Sequence, residues 1–430
     1  MGASETSRDS ERPVAYRPRV VDAELAARLG ATGAVLIEGP RGCGKTETAR
    51  HVARSEVRLD VDDDARAAGL VAPAVLLAGD RPRLIDEWQL VPAVWNHVRR
   101  EVDDHPGQTG QFILTGSAVP VDDATRHSGG LRFTRLRMRP MTLAETGHST
   151  GDVSLGALLA GEEPRARDPG LTIADLAERI AVGGWPGLLE RTPDQALVAL
   201  RGYLDETRRV DLARLDGARR DPENVARVLR SLARNTATAA SARSIAADVG
   251  GSEGPIDHHT VLDYIAALTR LFVVEDLPAW SPALRSRSIL RTSVTRHFVD
   301  PSLAVAALDA SPQRLVRDVE TLGLLFESLV VRDLRTHAQA LDATVFHYRD
   351  NNGLEADAVV QRRDGSWAAF EVKLGQAAMD GAAANLLRLA DRVDSDRHGA
   401  PVALAVITGW GYGYRRPDGV AVIPIGALAP

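Results

Sequence analysis

GPRGCGKT at residues 39–46 lies between an apolar run, TGAVLIEG, and a stretch of helical character, KTETARHVAR. No other feature limits the fold as much, because a strand must hand a glycine-rich loop to the start of a helix. The spacing fits G-x-x-x-x-G-K-[ST]. Gly39, Gly42 and Gly44, with Pro40, Arg41 and Cys43 between them, allow backbone N–H groups to wrap phosphate oxygens, and the following helix turns its positive end toward the anion. Lys45 is expected to reach the β- and γ-phosphates and Thr46 to bind magnesium. ATP and Mg2+ are the expected cofactors.

Further strand candidates are EVRLDVD from Glu56, PRLIDE from Pro82, QFILTGS from Gln111 and LRFTRLRM from Leu131, separated by helix-length segments. Strands alternating with helices imply a parallel sheet covered on both faces. LIDE at 84–87 is an apolar strand ending in two carboxylates. Asp86 is placed to hold magnesium through water, and Glu87 to orient or activate the attacking water. Thr115, at the end of a strand, is expected to sense the γ-phosphate or simply to cap the strand.

Composition excludes several classes. With 44% hydrophobic and 26% charged residues the chain is an ordinary globular one. It has no apolar run of membrane-helix length, and its first residues, MGASETSRDSERP, lack a signal-peptide core, so the expected compartment is the cytoplasm, with no membrane. One cysteine rules out an internal disulfide or a cysteine zinc cluster. A net charge of −6 does not announce nucleic-acid binding, although a local basic face is compatible with it. Among 52 basic residues only Lys45 and Lys373 are lysines. A compact ammonium does what a wide guanidinium cannot, so both positions are candidates for chemistry.

GPRGCGKT, LIDEWQ, LTGSA, SGGLRFTRLRMRPMTLAE and GGWPG, in that order, resemble the prokaryotic AAA-type ATPases that carry a C-terminal domain of unknown function, the DUF4143 family. The resemblance covers nearly the whole chain. The pattern of strands and helices along the chain sets the expected bounds: an AAA P-loop ATPase domain over 16–150, a helical lid and winged-helix-like region over 151–310, and a C-terminal α/β domain over 318–430. That family usually has a small residue before the Arg that follows its glycine pair, whereas Leu131 precedes Arg132 here. Arg132 is open to three roles: arginine finger, γ-phosphate sensor or surface charge.

Residues 241–277 resemble a winged helix: a short helix, a glycine turn, a second helix and a strand. His258, His259 and Arg270 are its obvious cationic candidates, and the two histidines, being adjacent, are not expected to share a helix face or bind metal. In the C-terminal domain Glu327 falls on a helix, Asp357 at the start of a strand, and Glu371 and Lys373 two apart on another strand. This looks like the PD-(D/E)xK nuclease arrangement of restriction-endonuclease-like domains. It implies Asp357 and Glu371 as magnesium ligands, Glu327 completing the cluster, and Lys373 positioning or deprotonating water. The resulting expectation is an ATP-hydrolysing protein whose nucleotide state controls a winged-helix and nuclease-like half, acting on DNA or RNA or as a homo-oligomer. The rival is an ATP-dependent interaction switch that cuts nothing.

Overall fold

Apolar strands that lack alternation need cover on both faces, and the N-terminal sheet has it. The computed structural model describes residues 16–116, 129–218, 220–250, 256–282, 294–350 and 352–430. The leader, residues 117 and 118 of LTGSA, the first residue of SGGL and most of the glycine turn at 249–255 lie outside the described residues.

Helix α1 (Asp22–Ala31) leads into β1 (Ala34–Glu38), and helix α2 (Lys45–Val52) starts at the end of the glycine loop. With β2 (Ser55–Arg58), β3 (Arg83–Asp86), β4 (Phe112–Gly116) and β5 (Phe133–Arg137) they form a parallel sheet of order β2-β3-β4-β1-β5. Because β4 lies between β1 and β3, Thr115 stands directly beside both Asp86 and Ile37. Val35 and Ile37 face one apolar layer, Ala34 and Leu36 another.

The middle region begins with β6 (Val153–Ser154), then becomes helical through Pro222–Arg234, Ala242–Gly250 and His258–Arg270. β7 (Val274–Leu277) and β8 (Thr295–Phe298) pair antiparallel, and Thr238 bridges to Arg296.

A 22-residue helix, Val319–Ala340, opens the C-terminal part. It is followed by β9 (Ala343–Arg349), β10 (Glu355–Arg362), β11 (Trp367–Lys373), the helix Met379–Arg392, and β12 (Ala403–Thr408), β13 (Tyr414–Arg415), β14 (Ala421–Pro424) and β15 (Leu428–Ala429). The sheet order is β13-β14-β12-β11-β10-β9, antiparallel from β9 to β11 and parallel from β11 through β12 to β14. Ala368, Phe370 and Val372 face the layer of the long helix, while Trp367 and Ala369 face the layer of Met379–Arg392. β15 returns to pair with β6, tying the last residues to the start of the middle region. No helix among the described residues is long and apolar enough to cross a membrane.

Candidate functional site

The loop after β1 folds as its glycines require. Gly42 and Gly44 have φ of 78° and 101°, left-handed values that a side chain resists. A Cβ on Gly39 would stand 2.2 Å from the carbonyl oxygen of Met138, so only glycine lets the loop pass β5. Lys45 is buried, and its ammonium donates to the carbonyls of Gly39 and Pro40 at 2.9 and 2.8 Å. Thr46 Oγ1 donates to Asp86 Oδ1 at 3.0 Å, and the Thr115 hydroxyl donates to the same carboxylate oxygen. Two hydroxyls and a carboxylate thus meet at the start of α2, a hard oxygen set of the kind magnesium prefers. Glu87 follows in a left-handed turn, φ 54°, against Gln89.

A chain of polar contacts surrounds the loop. Arg19 donates to the Cys43 carbonyl at 2.8 Å and to Glu145 at 2.9 Å. Burial alone would raise the Glu145 carboxyl, but Arg19 and the backbone N–H groups of Thr142 and Val20 hold it below its ordinary range. Next to Thr142, the Leu143 N–H donates to Asp333 at 3.0 Å. Arg332 donates to Asp333 and to Asp300, both at 2.8 Å, and Asp300 accepts from the Gly184 N–H at 3.0 Å. Trp185 then donates to Ser302 at 2.9 Å, and its ring stands 4.0 Å from where a Gly42 side chain would begin. The glycine pair has a steric cause: a Cβ on Gly184 would lie 2.0 Å from the Met141 carbonyl, and one on Gly183 2.4 Å from Asp300.

Six residues before Asp333 on the long helix, at Glu327, a second polar group gathers. Lys373 Nζ lies 2.6 Å from Glu371 and 3.3 Å from Asp357, and Asp357 also accepts from the Val372 N–H at 2.7 Å. Glu371 is buried, and its Oε1 has no hydrogen-bond partner. Burial, then the Asp357 charge, push its carboxyl up to about 7 against the pull of Lys373. Glu327 is raised well above the carboxylate range by burial first and Asp357 second. Burial works against the Lys373 ammonium, yet Asp357 and Glu371 hold it well above its ordinary value. Lys373 stands here as a charge partner of both carboxylates and a hydrogen-bond donor to Asp357.

Three stretches of the chain match known families: the AAA domain over residues 31–147, the domain of unknown function DUF8612 over 173–314, and the domain of unknown function DUF4143 over 322–428. The chain carries an AAA domain followed by a C-terminal DUF4143 domain. Nucleotide binding by the AAA domain is therefore supported on both family and geometry. Among solved structures, the Walker-type ATPase PABY2304 of Pyrococcus abyssi aligns at 12% identity and a TM-score of 0.42, covering 66% of this chain and 94% of that one. At that score the likeness supports no argument. No curated protein matches the chain.

Within the AAA domain the structure gathers Lys45, Thr46, Asp86, Glu87 and Thr115 at the C-terminal ends of the strands. Arg132 is not among them. Its carbonyl bonds to the N–H of Ala34, the first residue of β1, about 13 Å along the strand from the loop. Its guanidinium donates to Asp103 at 2.7 Å. Of its three open roles, the position supports the surface charge in its own chain. Leu131 beside it has φ 68° and is 94% exposed, which explains why a small residue suits that position.

Sequence reasoning missed what lies on the other side of the loop. A cleft of about 600 Å³ is lined by Arg41 and Glu87 from the AAA domain and by Tyr203, Asp211 and Arg214 from the middle helices. Arg41 pairs with Asp211 at 3.1 Å. A run of helical residues dense in Arg gives no sign of which one faces a distant loop.

In the DUF4143 domain Glu327, Asp357, Glu371 and Lys373 do converge, but the ligand atoms of the three acids do not all lie within 4.8 Å of one another. Asp257, His258 and His259 do meet that distance, and the two rings lie 4.1 Å apart, so adjacency on a helix start did not separate them as expected. The exposed face of that helix carries His259, Leu262 and Asp263, the last bound by Arg220 at 2.9 Å. It offers no basic stripe.

Proposed function

We propose that the chain is an ATP-hydrolysing switch whose nucleotide state acts on a magnesium-dependent, phosphodiester-cleaving site in the DUF4143 domain, with nucleic acid as substrate. One observation carries the link: the helix Val319–Ala340 bears Glu327 at the carboxylate cluster and Arg332 and Asp333 in the contacts around the phosphate loop. A displacement of this helix carries both groups of residues with it, since a packed helix shifts as a body.

In the AAA site, Lys45 and the loop N–H groups grip the phosphates, Thr46 and Asp86 hold the metal, and Glu87 orients water. In the C-terminal site the order helix, three antiparallel strands, helix, parallel strand is compatible with a restriction-endonuclease-like domain. Three carboxylates share one ammonium, and burial first, then the Asp357 charge, raises the proton affinity of Glu327 and Glu371. A divalent cation suits that imbalance. Magnesium, when bound, supplies positive charge to a phosphodiester and polarises a water. Asp357 and Glu371 would hold it, Glu327 would close the cluster, and Lys373 would donate to the phosphate or water. The convergence of Asp357 and Glu371 on Lys373 supports this reading, together with the Glu371 Oε1 that has no hydrogen-bond partner.

Oligonucleotide cleavage with magnesium, wild type beside Lys373→Arg, tests the reading. Cleavage by wild type and its loss in Lys373→Arg, with ATP hydrolysis unchanged, is expected. If wild type neither cuts nor binds magnesium, the rival holds: an ATP switch with a non-cleaving domain.

A further inference from the structure

The segment GWGYGYRR at 409–416 concentrates aromatic side chains in a chain with only six Trp and six Tyr. Tyr412 is 65% and Tyr414 42% exposed. Exposed aromatic faces this close together in sequence form apolar surface that a ligand can cover.

Their location supplies the second half of the argument. β11 and β12 pair Lys373 with Thr408, two residues before Trp410, and the Thr408 hydroxyl donates to the Trp410 carbonyl at 3.0 Å. A Cβ on Gly375 would stand 3.6 Å from the Trp410 ring, and one on Gly411 3.1 Å from Gln376. Tyr414 pairs with Val422, which packs in the layer of Val406, the partner of Glu371. Its hydroxyl reaches Met379 in that layer at 3.5 Å. Tyr412 lies two residues earlier, between Gly411 and the Gly413 that bridges to Ala166. Tyr414 and the Glu371–Lys373 pair therefore belong to the same side of one sheet, and Tyr412 is exposed two residues from Tyr414.

We propose that Trp410, Tyr412 and Tyr414 form a stacking platform for the bases of a single-stranded nucleic acid, guiding it to the Glu371–Lys373 site. This rests on the nucleic-acid reading given above and names its substrate class. Aromatic faces accept any base, and unpaired bases alone expose the rings that stack. The nearby cations are already partnered: Arg415 binds Glu163 at 2.9 Å, and Arg416 binds Asp380 at 2.8 Å and Asp418 at 3.0 Å.

Fluorescence anisotropy with labelled oligothymidine and a duplex of equal length, in EDTA with full-length protein, reads binding without cleavage. Single strands should bind more tightly than duplex. Tyr412→Ala and Tyr414→Ala should each weaken binding about tenfold, and Tyr412→Phe should retain it. Equal affinity for duplex, no binding at all, or indifference to both alanine variants would overturn the platform. Duplex cleavage without single-strand binding would sink the platform and spare the nuclease reading; single-strand binding without any cleavage would do the reverse.

Discussion

Glu327 and Asp333 stand six residues apart on one helix, about 9 Å along its axis, yet they serve different domains. Glu327 joins the carboxylate cluster with Asp357 and Glu371, while Asp333 accepts the Leu143 N–H beside the phosphate loop. Six residues turn a helix through more than one and a half revolutions, so the two side chains leave on different faces.

Asp333 holds Arg332 in place together with Asp300, and all three are buried. Removing one carboxylate leaves a buried guanidinium half compensated. Asp333→Ala should lower stability by about 3 kcal/mol in urea unfolding. A loss under about 1 kcal/mol would mean that the contact transmits nothing of consequence between the domains.

At the nucleotide site, gripping and turnover are done by different groups. Lys45→Ala should abolish ATP binding in calorimetry, while Glu87→Gln should keep binding and slow hydrolysis by at least about a hundredfold. Equal loss of binding in both variants would refute that division.

Arg132 lies at the wrong end of β5 for a role in its own chain's site. Arg132→Ala should leave steady-state hydrolysis within about twofold and barely move stability, since its pair with Asp103 is exposed to solvent. Leu131→Gly should stabilise by about 1 kcal/mol, because it relieves a left-handed leucine. Clearly slower hydrolysis in Arg132→Ala would restore the finger.

His337, on the long helix, is buried with neither ring nitrogen hydrogen-bonded among the described residues. Burial first, with Arg332 beside it, lowers its pKa from 6.5 to about 4. The unfolded chain takes up the proton first as pH falls, so stability is intact above 6.5 and declines toward 4, by up to about 3 kcal/mol from this group. His337→Phe should flatten the urea midpoint between pH 6.5 and 4. An unaltered pH slope would show that His337 does not titrate as the fold requires.

The phosphate loop was legible because its whole signal is contiguous: strand, glycines, Lys45, helix. Asp86 and Glu87 were readable for the same reason, and Lys373 stood out as a lysine kept among arginines. Arg132 precedes β5, and a parallel sheet binds ligands at the carboxyl ends of its strands, so its position in the chain already spoke against a nucleotide role; Arg137, not Arg132, ends β5 beside Glu38. The Arg332–Asp300 pair joins residues 32 positions apart, and a buried ion pair has the same letters as a solvated one. GGWPG could be seen as a motif, but its cause, the Met141 carbonyl against Gly184, exists only in three dimensions.

The most direct test of the link between the two sites is the rate of magnesium-dependent oligonucleotide cleavage by Glu87→Gln, which should hold ATP without consuming it, measured in ATP and again in ADP. Rates differing by about tenfold, equivalent to about 1.4 kcal/mol of coupling, are predicted. Identical rates in the two nucleotides, or no cleavage in either, would contradict control of the C-terminal site by the nucleotide.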